Sequence, residues 1–174
     1  MFPKIGINGF GRIGRLALRL AADREDVRFS AINSHSQTPD YMAYLLQYDS
    51  VHGNFRGKIR YDENNLIVND RKIRVFHAEN PNEIPWREAD VNIVMESTGK
   101  FLTAEKMQGH LDAGARKVVL TAPAKDNTPM FVMGVNQETY NPSMHFVSNA
   151  SCTTNCLAPL AKVLHDNFGI KEAL

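Results

Sequence analysis

The chain has little cysteine: two in 174 residues, Cys152 and Cys156. Two cysteines cannot build the disulfide framework of a small secreted domain. It also lacks any apolar run near the roughly 18 residues that a membrane-spanning helix needs. A secretory leader is not expected, because Met1-Phe2-Pro3-Lys4 runs straight into a strand pattern. Charge of one sign is missing as well. The formal net charge is +1, and Lys and Arg are scattered without a run that would track phosphates, so neither nucleic acid nor a membrane is an expected partner. Internal repeats and low-complexity linkers are absent. Together these absences lead to the expectation of a cytoplasmic, reducing location.

What is present suits a folded enzyme or binding domain. With 43% hydrophobic and 22% charged residues, the chain can bury a real core. Its length fits one domain, or one domain and the start of a second. Ile5 to Asn8 reads as a short strand, and Gly9, Gly11 and Gly14 give G-x-G-x-x-G. Ile13, Leu16, Ala17 and Leu20 then recur at helical spacing, with Arg12, Arg15, Arg19 and Asp23 on other faces. Val27 to Asn33 is the next strand, and Thr38-Pro39-Asp40 opens a helix. Residues 56 to 77 read as a small antiparallel meander, with turn pairs Asn64-Asn65 and Asn69-Asp70. The βα order resumes with a strand over Val91 to Met95, a turn at Thr98-Gly99 and a helix over Thr103 to Ala113. Strands are expected at Val118 to Leu120, Phe131 to Val135 and Phe146-Val147. The expected class is α/β: a Rossmann-type, doubly wound, mostly parallel sheet with a small antiparallel insertion.

The glycine pattern carries chemistry through its context. A dinucleotide site needs a tight turn, a close backbone approach to pyrophosphate and a helix N-terminus aimed at it. Gly9, Gly11 and Gly14 supply the first two, and the helix from Arg12 the third. An acidic residue at the end of the second strand normally holds the adenosine ribose. Here Asn33-Ser34-His35-Ser36 stands in that place, without a carboxylate. Backbone groups or Asn33 could hold the ribose of NAD, or Ser34, His35 and Ser36 could tolerate the 2′-phosphate of NADP. Both cofactors stay open.

The two cysteines fall in Ala150-Ser151-Cys152-Thr153-Thr154-Asn155-Cys156. One helical turn is poor geometry for a disulfide. The six histidines at 35, 52, 77, 110, 145 and 165 form no set with zinc spacing, so no metal is expected. Two structural thiols remain one reading. The other starts from the strand that ends near Ser151 and the helical spacing of Leu157, Leu160, Ala161 and Leu164. Cys152 then falls in the first turn of a helix, where the macrodipole favours a negative sulfur. Cys156 is expected to be its buried bystander, and Pro159 is awkward for a continuous helix. A nucleotide-binding domain followed by a nucleophilic thiol suggests aldehyde oxidation through a thiohemiacetal and a thioester.

Five stretches resemble phosphorylating glyceraldehyde-3-phosphate dehydrogenase: "INGFGRIGR", "YDSVHG", "STGKF", "KVVLTAPAKD" and "SNASCTTNCLAPLAKVLHDNFGI". The resemblance covers the whole chain. It implies a Rossmann domain over residues 1–150 and the first helix of a catalytic domain over 151–174, as the N-terminal half of a subunit that forms a homotetramer. It implies glyceraldehyde 3-phosphate, inorganic phosphate and NAD or NADP as ligands. By position, it implies cofactor contacts from Asn8, Gly9, Phe10, Gly11, Arg12, Ile13, Asn33, Ser34, Thr98, Gly99, Phe101 and Thr121. Cys152 would be the nucleophile, with Ser151 and Thr153 contacting substrate. Ser34 aligns with the family's ribose-binding aspartate. The family's activating histidine, phosphate-binding arginine and nicotinamide-binding asparagine fall beyond position 174, and His165 reads as a solvated or capping residue. Erythrose-4-phosphate dehydrogenase, which shares "INGFGRIGR" and "SNASCTTNC", and a non-catalytic nucleotide-binding module are the alternatives.

Overall fold

The computed structural model describes residues 2–173. Its first βαβ unit comprises β1 (Lys4–Asn8), α1 (Arg12–Ala21) and β2 (Arg28–Asn33), followed by α2 (Pro39–Gln47). Pro39 stands in the first turn of α2, where its missing N–H costs nothing. The meander is β3 (Ile59–Asp62), β4 (Asn65–Val68) and β5 (Arg71–Phe76). Asn69 and Asp70 turn the second hairpin with φ of 48° and 65°, the left-handed conformation that Asn and Asp tolerate. Then come β6 (Ile93–Glu96), α3 (Ala104–Asp112), β7 (Lys117–Leu120), β8 (Phe146–Ser148) and α4 (Cys152–Phe168). Thr103 caps α3 by accepting from the Lys106 N–H at 3.3 Å.

The eight strands form one sheet in the order β3-β4-β5-β2-β1-β6-β7-β8. Pairing is antiparallel between β3, β4 and β5, and parallel across the rest. Taken alone, the six parallel strands run third, second, first, fourth, fifth, sixth in chain order. That is the order of a doubly wound dinucleotide-binding sheet, whose ligand crevice opens at the carboxyl ends beside the first strand.

Each face of the sheet is covered by its own core. Leu18 of α1 and Met42 and Leu46 of α2 pack with Ile7, Ile32, Ile73 and Val75. Met107 of α3 packs with Trp86, Val94, Val118 and Leu120 on the other face. The antiparallel hairpin extends the first core, adding Leu66 and Val68.

Two expectations need correction. Residues 131–135 are not a strand but a turn, joined to the sheet only by an isolated bridge between Met130 and Ser148. Gly134 has a φ of 86°, and the Asn136 side chain accepts from Val132 N–H and donates to Met130 O, closing the segment on itself. Along α1, the buried residues are Gly14 and Leu18, while Ile13 and Leu20 of the expected apolar stripe face solvent. Gly14 sets this rotation, because only a residue without a side chain can lie against the Gly9 carbonyl.

Candidate functional site

The turn between β1 and α1 leaves no room for side chains at two of its glycines. Gly9 adopts a φ of 95°, and a Cβ there would sit 2.9 Å from the Thr98 backbone nitrogen. A Cβ on Gly14 would sit 2.3 Å from the Gly9 carbonyl oxygen. Gly11 differs, since a Cβ there would meet nothing within 4 Å. It is the N-cap of α1, makes no side-chain cap bond, and is followed by a first turn without an acidic residue. The first-turn N–H groups therefore have no helical acceptor and no local anion, which suits a pyrophosphate.

Beneath this turn lies a buried polar network. Glu96, at the end of β6, is fully buried. Its Oε2 accepts from Asn8 Nδ2 at 2.6 Å and from His110 Nε2 at 3.0 Å. Its Oε1 accepts from the Thr98 N–H at 2.8 Å and from the Thr98 hydroxyl. Trp86 Nε1 donates to His110 Nδ1 at 3.0 Å. An indole N–H can only donate, so His110 Nδ1 accepts and Nε2 carries the proton given to Glu96. Asn33 Nδ2 continues the chain to Asn8 Oδ1 at 2.8 Å. The network joins the carboxyl ends of β1, β2 and β6, which are the three strands around the crevice.

The crevice itself is lined by Asn8, Gly9, Phe10, Gly11, Asn33, Ser34, Thr98 and Phe101, all expected from the sequence. Its volume is about 270 Å³, near the roughly 300 Å³ lower end for small-molecule sites. Arg12 and Ile13 open α1 beside it and are exposed, and Gly99 lies between its lining residues Thr98 and Lys100. Thr121 stands apart at the end of β7, with its hydroxyl donating to Glu96 O at 3.1 Å. His35 and Ser36, and Ser97 and Lys100 of the "STGKF" stretch, also line the crevice, as do Gln37, Ala78 and Glu79, which carried no sequence signal. They sit on turns after β2, β5 and β6, whose crowding at one edge follows from strand order rather than from any local motif.

Cys152 begins α4, four positions past the end of β8. Ala150 enters this turn with a φ of 57°, and its N–H is held by Ser148 Oγ at 3.0 Å. Ser151 is the N-cap, accepting from the Thr154 N–H at 2.9 Å. The Thr153 and Thr154 hydroxyls lie 2.9 and 2.7 Å from Ser151 Oγ. Asn155 Nδ2 donates to Asn149 O at 2.7 Å and to Ser151 O at 2.9 Å, bracing the turn. Both thiols are free and exposed, so Cys156 is not the buried bystander expected from sequence. No residue of α4 is buried, and Leu157, Leu160 and Leu164 face solvent; nothing covers the second turn. The helix passes through Pro159 without ending. His165 acts near its C-terminus, where Nδ1 accepts from the Ile170 N–H at 3.3 Å. Among the described residues, no His, Cys, Asp and Glu grouping could hold a metal ion, and no helix is long and apolar enough to cross a membrane.

A parallel sheet in this order, with a glycine turn at its switch point, defines a Rossmann-type dinucleotide-binding domain. Residues 3–104 match the family model "Glyceraldehyde 3-phosphate dehydrogenase, NAD binding domain" and residues 151–174 match "Glyceraldehyde 3-phosphate dehydrogenase, C-terminal domain". The chain belongs to the glyceraldehyde 3-phosphate dehydrogenase family. It is 54% identical over its whole length to the Ogataea parapolymorpha glyceraldehyde-3-phosphate dehydrogenase, of which it covers 52%. A cytosolic enzyme of that name from Craterostigma plantagineum is 56% identical over 98% of the chain, with 51% of the relative covered. A chloroplastic one from Arabidopsis thaliana is 54% identical over 98% of the chain, with 40% covered. The chain thus spans about half the length of the curated relatives it matches.

Proposed function

We propose that residues 1–150 are the NAD(P)-binding domain, and residues 151–174 the start of the catalytic domain, of a glyceraldehyde-3-phosphate dehydrogenase. The observation that carries this reading is the shared edge. Because β1, β2, β6 and β8 are parallel, the crevice at the ends of the first three and the Cys152 turn after the last open on the same side of the sheet.

In this reading Gly9, Gly11, Arg12 and Ile13 hold the pyrophosphate, and Asn8, Phe10, Asn33, Ser34, Thr98, Gly99 and Phe101 surround the adenosine half. Thr121 lies toward the nicotinamide half. When bound, the dinucleotide supplies the acceptor for the substrate's hydride. Cys152 Sγ adds to the aldehyde carbon of glyceraldehyde 3-phosphate to form a thiohemiacetal, while Ser151 and Thr153 orient the substrate. Loss of hydride from that carbon, and of the hydroxyl proton to a base, leaves a thioester on Cys152. Inorganic phosphate then attacks the thioester carbonyl, breaks the C–S bond and returns the thiolate, giving 1,3-bisphosphoglycerate. The family resemblance supports a homotetramer of full-length subunits. The free thiols and the cytosolic relative support a cytoplasmic setting.

Isothermal titration of this polypeptide with NAD and with NADP tests the reading. Binding of at least one is expected, since the glycine turn and its network lie within residues 4–110. Failure of both to bind would overturn it. A steady-state assay of the same 174 residues should show little turnover, because no histidine ring among the described residues is bonded to Cys152, and general-base help is worth roughly 10²–10⁴-fold.

A further inference from the structure

The end of β2 offers no carboxylate to a ribose, yet the crevice wall beside it does. Glu79 follows β5, the strand next to β2 in the sheet, and lines the same crevice as Asn33, Ser34 and Gln37. Its position is fixed by the residue before it. The Asn33 side chain clamps Ala78 on both sides, accepting from Ala78 N–H at 2.9 Å and donating to Ala78 O at 3.0 Å. Ser34 N–H donates to Phe76 O at 2.9 Å, so the chain from Phe76 to Ala78 is tied directly to the end of β2. Glu79 is the next residue along, exposed at the crevice wall.

We propose that Glu79 supplies the carboxylate for the adenosine ribose, so that this crevice takes NAD in preference to NADP; the proposal rests on the dinucleotide reading above. An ionised carboxylate accepts from both hydroxyls of a 2′,3′-diol and repels a 2′-phosphate. The other lining groups that follow β2, namely Ser34, His35, Ser36 and Gln37, include no lysine or arginine to pair with a phosphate. The Ser34 hydroxyl is 3.0 Å from Gln37 Oε1, a group that only accepts, so the Ser34 proton is committed to it. Lys100 is the lysine of the lining, but it follows β6, three strands away from β5. At about 4.8 Å per strand, that places the two backbones on the order of 14 Å apart. Lys100 therefore serves the opposite wall of the crevice, and Glu79 the ribose end.

The test is isothermal titration of the wild-type chain, Glu79→Gln and Glu63→Gln with NAD and NADP separately. Glu63 lies on the exposed β3–β4 turn and removes the same charge away from the crevice. The wild type should bind NAD more tightly than NADP. Glu79→Gln should move the NAD/NADP affinity ratio toward NADP by about tenfold or more, through weaker NAD and stronger NADP binding. Glu63→Gln should leave the ratio alone. A wild-type preference for NADP, an unmoved ratio in Glu79→Gln, or an equal shift in both variants would overturn the role of Glu79 while leaving the dinucleotide site standing. Binding of neither cofactor by the wild type would instead remove the site itself, and the proposal with it.

Discussion

His110 Nε2 lies 3.0 Å from Glu96 Oε2, and both side chains are fully buried. All four hydrogen bonds at the Glu96 carboxyl are received, from Asn8, His110 and twice from Thr98. A glutamine has one accepting oxygen and one donating amide, so its NH₂ must face either Asn8 and His110 or the Thr98 pair. Glu96→Gln should therefore destabilise the fold by about 1–3 kcal/mol, the range for a buried donor left unmatched. Urea unfolding of the variant with an unmoved midpoint would show that the network tolerates rotation of this side chain.

Gly14 makes a second, sterically defined prediction. A methyl at this position would stand 2.3 Å from the Gly9 carbonyl oxygen, and backbone cannot yield as a flexible side chain does. Helix propensity alone would favour alanine over glycine here by about 1 kcal/mol. The clash should win, costing about 1–3 kcal/mol by overpacking and loosening the turn that faces the pyrophosphate. Gly14→Ala should lose both thermal stability and dinucleotide affinity; a more stable variant would mean that α1 lifts away without harm.

These two sites separate what the sequence discloses from what it does not. G-x-G-x-x-G, the second strand and the meander were legible because each is written locally, in glycine spacing, β-branched runs and Asn-rich turns. Glu96 and Glu79 were not. Glu96 stands 88 positions from Asn8, and only parallel pairing of β1 with β6 brings them together. Glu79 reaches the crevice because β5 pairs with β2. Phe131–Val135 misled for the opposite reason. Its apolar residues look like a strand, but Gly134 at positive φ and the Asn136 side chain fold it into a turn. Cys156 was read as buried because Leu157 and Leu160 flank it, and these leucines face solvent with it.

The meander predicts a specific acid response. Asp62 accepts from Asn65 Nδ2 at 2.5 Å, its main perturbation, then from Asn64 N–H at 3.0 Å, with Lys72 3.2 Å away. These hold its carboxyl at about 2, below its ordinary 3.8. A depressed carboxylate stabilises the fold above its unfolded value and loses that contribution as the pH falls through the folded one. The stability difference between the wild type and Asp62→Asn should thus be constant above about pH 5 and shrink between pH 4 and pH 2. The site is open to solvent, so the difference should also fall with added salt. Urea midpoints across this pH range check it, and parallel curves for the two proteins would rule out Asp62 as the source.

Ser34 tests the ribose end from the β2 side. Ser34→Asp places a carboxylate where doubly wound folds usually carry one. NADP should bind more weakly by like-charge repulsion, with NAD equal or tighter. Unchanged NADP affinity in isothermal titration would mean that residue 34 does not face the 2′ position.

Cys152 and Cys156 are both exposed, so access does not rank them, whereas helix position does. Cys152 is the first residue of α4, and Ser151 Oγ takes only the Thr154 N–H of the first turn. The N–H groups of Cys152 and Thr153 remain to face a negative sulfur. Cys156 lies in the second turn, past the reach of the helix-end field, which fades within one turn. Brief iodoacetamide treatment near neutral pH, followed by mass mapping, should label Cys152 first, by roughly two- to five-fold. Cys152→Ser should remove the faster phase and Cys156→Ser the slower one. Labelling of Cys156 ahead of Cys152 would detach thiol reactivity from the helix start, and with it the physical reason for placing the nucleophile there.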